Sequence, residues 1–244
     1  MVLTGRRFWY LMAGYAASAC AVLSVPAEAG NMPVPMTVAS VAQMNPSASQ
    51  PVFSEISAQA MDFMRAGRAG DALAVLEPVS SQLAALTAAK AGRVTCQQGL
   101  RGKQLLDADL CQALYLRAFA FTELGRRADA VEALEQLTVL SPEYPRYFVE
   151  LAYAYRVGGD EVKALATYQH AVSLAEKPAL REESKRYHAA ALRGVGYLLI
   201  EQGDLVGAEA AYRASLADDP ESKIAIKELS FIARKRADGE QKGG

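Results

Sequence analysis

Four glycines each stand five residues before an alanine, and this recurrence constrains the fold more than any other feature of the chain. The pairs are Gly67 and Ala72, Gly125 and Ala130, Gly159 and Ala164, and Gly203 and Ala208. Twelve residues before each alanine sits another small residue: Ala60, Ala118, Ala152 and Gly196. Nine before it comes Phe63, Phe121, Tyr155 or Leu199, and four after it comes Leu76, Leu134, Tyr168 or Tyr212. Small residues let two helices approach closely. Large ones fill the space beside the crossing, and a glycine supplies the left-handed turn between them. The pattern predicts helix–turn–helix units repeated along the chain.

The template resembles the tetratricopeptide repeat, a helix–turn–helix unit of about 34 residues. The third copy is the most typical, with Phe148, Leu151, Ala152, Tyr155, Gly159, Ala164, Tyr168 and Ala171. The family's common tryptophan is replaced by the apolar Ile56, Leu114, Phe148 and Leu192. The resemblance is to an exported, bacterial-type member of the family. It implies an all-α, right-handed superhelical solenoid of about four repeats closed by a C-terminal capping helix. It also implies a non-enzymatic scaffold that binds a protein partner in its concave groove. An adaptor tethered to the membrane or lipidated, and acting in export or biogenesis of a polysaccharide or outer-membrane protein, is the alternative.

Residues 1–29 read as an export signal. Arg6 and Arg7 precede an uncharged stretch from Phe8 to Val25, and Ala27-Glu28-Ala29 has the small-x-small form of a cleavage site. An uncleaved anchor and lipidation at Cys20 stay open beside cleavage after Ala29. Each places the rest of the chain outside the cytoplasm, in a periplasm, with a membrane tether through the N-terminus in two of the three cases. Residues 30–51 contain four prolines and no charge, and read as a flexible linker. The repeat domain is expected over 52–236. The cap is expected over 221–235, covering the last repeat with Ile224, Ile226, Leu229 and Ile232. Residues 237–244 are expected to be disordered.

The first 29 residues carry two arginines and one glutamate. The remainder holds 24 basic and 26 acidic residues, a formal charge of −2. That balance argues against nucleic acid as a partner. Cys96 and Cys111 remain after export, and in an oxidising compartment such a pair is expected to form a disulfide; two buried thiols are the other reading. His170 and His188 have no ligand spacing to the cysteines, so no metal site is expected. Both histidines read as solvated helix residues. With no phosphate loop, zinc motif or nucleophile elbow, neither catalytic residues nor a cofactor are expected.

Successive alanine anchors lie 58, 34 and 44 residues apart, so two junctions exceed one repeat by 24 and by 10 residues. The first insertion, 86–110, carries Lys90, Arg93, Arg101 and Lys103 and puts regular stacking of the first repeat in doubt. It reads as a solvated loop or as a surface for an acidic partner or anionic lipid. The second, 179–188, is expected to lengthen the first helix of the fourth repeat by nearly three turns.

In this family the stripe beside the packing stripe of each first helix lines the groove. Here it supplies Met61, Tyr115, Phe119, Tyr153, Arg156, Arg193 and Tyr197 as partner-binding residues. Tyrosine and arginine are favoured at binding hot spots. Packing of these side chains against the next repeat is the competing reading. The stripe has no Lys or Asn, which speaks against a receptor for dicarboxylate tails. The oligomeric state is not legible in the sequence.

Overall fold

The computed structural model describes residues 53–89, 92–98, 100–178 and 180–242. The expected signal and linker, Cys20 and Lys90 lie outside them. Among the described residues the order is α1 (Phe53–Arg65), α2 (Ala69–Ala89), β1 (Val94–Thr95), β2 (Gln104–Leu105), α3 (Ala108–Glu123), α4 (Arg127–Leu140), α5 (Pro145–Gly158), α6 (Glu161–Ala175), α7 (Arg181–Glu201), α8 (Leu205–Asp218) and α9 (Lys223–Lys242). The fold is an all-α repeat architecture. Each helix packs on the next in sequence, and α1 also packs on α3 and α5 on α7.

The recurring small residues do what their spacing predicts. Ala60, Ala118, Ala152, Ala72, Ala130, Ala164 and Ala208 are all buried. The larger partners Leu76, Leu134, Tyr168 and Tyr212 close over them. Fully burying one such leucine contributes about 1.5–3 kcal/mol. All four turn glycines have positive φ, at 72°, 69°, 87° and 83° for Gly67, Gly125, Gly159 and Gly203. Side-chain caps open the helices after them where an aspartate is available: Asp160 accepts from the Lys163 amide and Asp204 from the Gly207 amide. Asp71 is not such a cap. It lies inside the first turn of α2, paired with Arg68.

The first insertion does not disturb the stacking. The second helix of the first repeat runs on through Pro78 to Ala89, and both α1 and α2 pack on α3. Ser57 Oγ donates to the Asp109 carbonyl at 3.0 Å, tying α1 to the start of α3. The rest of the insertion folds back on α4. Its two short strands pair in parallel, Val94 with Gln104 and Thr95 with Leu105, an element the helical pattern did not predict. Thr95 Oγ1 and the Cys96 amide both donate to the Leu140 carbonyl, at 2.7 and 2.9 Å. They satisfy an acceptor that the end of α4 leaves free. Gln97 and Glu143 exchange two further bonds at 3.0 and 2.9 Å. Cys96 and Cys111 are paired, with their Cα atoms 5.9 Å apart.

Two expectations are corrected at the C-terminus. The capping helix does not stop at Lys235, and the expected disordered tail is helical as far as Lys242, since no proline interrupts it. The cap also buries fewer residues than expected. Ala225 and Ile232 pack against Ala208 and Tyr212, whereas Ile224 and Ile226 face outward, 47% and 50% exposed.

Candidate partner-binding surface

The seven candidate groove residues divide into three environments. Tyr153, Arg156 and Tyr197 come together. The Arg156 guanidinium lies 4.9 Å from the ring centre of Tyr153 on its own helix and 4.6 Å from that of Tyr197 on α7. Such stacking holds a flexible cation in one place. Burial pushes the nearby Tyr168 phenol up beyond the ordinary range, and the Arg156 charge opposes that rise. Tyr197 is 36% exposed, and Tyr153 and Arg156 are half-buried. The three form a cation–aromatic surface spanning the third and fourth repeats.

Tyr115 does not line an open groove, because it is 1% exposed. The next repeat covers it. Arg146, at the start of α5, places its guanidinium 3.7 Å over the Tyr115 ring, and the Tyr115 hydroxyl donates to Glu150 Oε1 at 3.2 Å. Phe119 stacks on Tyr115 with ring centres 6.3 Å apart. Ring contacts continue from Tyr115 to Tyr147 (5.9 Å), to Tyr144 (4.9 Å) and to Tyr187 (6.0 Å), so one aromatic row crosses the second, third and fourth repeats. Burial pushes the Glu150 carboxyl up to about 7, even though Arg146 and the Tyr115 hydroxyl favour its charge.

Arg193 is likewise not a free groove cation. Its Nη1 is 2.9 Å from Asp219 Oδ2, and the side chain is largely buried. Met61 is half-buried on α1. Neither meets the Arg156 stack.

The packing reading therefore holds for Tyr115 and Arg193, and an accessible surface remains at Tyr153, Arg156 and Tyr197. The sequence reading missed Arg146, Glu150, Tyr147 and Tyr187. Arg146 and Glu150 lead at spacings of four and three to Tyr153, a member of the stripe already chosen, and that spacing was the available signal. His188 was also misread. It is buried, and its Nδ1 donates to Asp218, which also receives two bonds from Arg181 at 3.1 and 2.7 Å. Its Nε2 faces Glu176 at 3.5 Å, too long for a strong bond. Because of this clasp the extra turns of α7 are fastened to the end of α8.

With this geometry in place, comparison with known proteins bears on the chain. The family model described as the tetratricopeptide repeat matches residues 115–180 and 177–223. Residues 115–223 match the tetratricopeptide repeat. Repeats of this family generally mediate protein–protein interaction. Among solved structures, the first TPR of Spaghetti (RPAP3) bound to the HSP90 peptide SRMEEVD is 20% identical, with a TM-score of 0.46, over 54% of this chain and 97% of that one. A Podosopora anserina chain with nearly identical TPR-like repeats, named for kinesin light chain, is 17% identical, with a TM-score of 0.38, over 79% of this chain and 100% of that one. No curated protein matches the chain.

Proposed function

We propose that the chain is a non-catalytic scaffold that holds a segment of a partner protein against Tyr153, Arg156 and Tyr197. One observation carries this reading: the Arg156 guanidinium is fixed between two tyrosine rings, one of them 36% exposed. Fixed aromatic and arginine side chains cost little entropy when a partner arrives, and Arg156 offers charge-assisted hydrogen bonds to its polar groups. We further propose that the protein acts outside the cytoplasm. The charge, apolar stretch and small residues of 1–29 support that location, as does the pairing of Cys96 with Cys111 into what we take to be a disulfide.

A photo-crosslinking residue placed at Tyr197 and, separately, at Arg101 tests the reading in intact cells. Partner adducts at Tyr197 are the expected result. Adducts at Arg101 with none at Tyr197 would move the site to the basic insertion.

A further inference from the structure

The outer face of α9 sets three exposed cations beside two exposed isoleucines. Ala225 and Ile232 point into the fold against Ala208 and Tyr212. At 100° per residue, Lys223, Lys227 and Arg234 lie on the opposite side of the helix. All three are exposed. None makes an ion pair or side-chain hydrogen bond among the described residues, whereas the neighbouring Arg236 is tied to Glu209 at 2.7 Å. The row spans about 17 Å along the axis. Ile226 flanks it on one side, 50% exposed, and Ile224 on the other, 47% exposed. Asp238 lies at the far end of the row, and Glu228 sits toward the buried side.

We propose that this face of α9 docks on an anionic phospholipid surface. Charge complementarity selects a negative partner. The shape selects a flat one, because the cations stand on a convex helix with no cleft between them. A groove of about 300 Å³ beside this helix, lined by Glu209, Arg213, Leu229, Ala233, Arg236 and Ala237, lies on its inner side against α8. Isoleucines flanking a row of cations are placed to enter the headgroup boundary while the cations meet phosphate. None of the three cations or the two isoleucines belongs to the Arg156 stack.

The test is co-sedimentation of the full-length protein with vesicles of phosphatidylcholine alone or mixed with phosphatidylglycerol. Residues 1–29 carry two arginines and a long uncharged stretch, so wild type is compared with Lys223→Gln/Lys227→Gln/Arg234→Gln in the same chain. Each cation near an anionic bilayer strengthens partitioning about fivefold, so the preference for anionic vesicles should fall on the order of a hundredfold. Lys223→Arg/Lys227→Arg should retain it. Ile224→Ser/Ile226→Ser, which leaves every charge in place, should lose the part of binding that survives high salt. An unchanged preference in the triple variant overturns the proposal. So does tight binding of soluble polyglutamate without any preference for anionic vesicles, which would assign the face to an acidic polypeptide.

Discussion

The ring of Tyr212 fills the space that a side chain on Gly196 would need; an added β-carbon would meet the ring at 2.7 Å. Three repeats place alanine at this crossing, and the fourth pairs glycine with a buried tyrosine. In an exposed helix, Gly→Ala stabilises by about 1 kcal/mol. Here Gly196→Ala should instead destabilise by about 1–3 kcal/mol through overpacking. Thermal melts of wild type and variant measure the sign, and a raised melting temperature would mean that Tyr212 is free to move aside.

Glu150 should make stability fall as pH rises. Its folded-state pKa, raised by burial to about 7 from an ordinary 4.5, means that the folded state holds a proton the unfolded chain has released. Its favourable contribution is therefore complete below about pH 4.5 and is lost as pH climbs through 7. Glu150→Gln, which mimics the protonated form, should match wild type at pH 5 and exceed it by up to about 2 kcal/mol at pH 8. Urea denaturation at the two pH values reads the difference.

Asp218 should act in the opposite direction. Burial pushes its carboxyl up, but hydrogen bonds from Arg181 and His188 outweigh that and hold it below the usual carboxylate range. Stability from this clasp is present above the unfolded pKa and is lost as pH falls through the lower folded value. Asp218→Ala leaves a buried histidine and a partly exposed arginine without their acceptor and should cost about 3 kcal/mol at pH 7. Hydrogen exchange should show the loss first in the amides of 181–190.

Reducing Cys96–Cys111 should loosen the insertion more than the repeats. The two residues are 15 apart in sequence. Closing a loop of that size stabilises by about 3 kcal/mol in the chain-entropy account. Melting with and without a phosphine reductant should show the shift, and thiol labelling of unreduced, denatured protein should find no reactive cysteine at either position. Two reactive thiols would refute the bond.

Tyr197→Ala should weaken partner capture at least tenfold while the melting temperature stays within a few degrees, because this ring is exposed and bonds to nothing buried. Arg156→Ala is a poorer probe. It removes the cation stacked on both Tyr153 and Tyr197 and should lower stability by about 1 kcal/mol as well as capture. Capture by the Tyr197 variant at wild-type strength would rule out this surface as the partner site.

The repeat architecture is written locally. A glycine at a left-handed turn, an alanine at a close crossing and a large residue beside it are requirements of backbone and volume within about 17 residues. Gly159, Ala164 and Tyr168 therefore announce their roles without any partner in view. The lengthened α7 was legible for the same reason. What only the tertiary structure decided is which stripe stays open. Tyr115 and Tyr197 lie on the same stripe of their helices, one turn apart in the repeat, yet Arg146 and Glu150 of the following repeat cover Tyr115, and no further tyrosine-bearing repeat covers Tyr197. Arg193 found an acid 26 residues away and His188 one 30 residues away, distances over which spacing carries no information. Exposure and charge pairing are set by neighbours distant in sequence, so the outward isoleucines of α9 and the fixed guanidinium of Arg156 emerge only when the repeats are stacked.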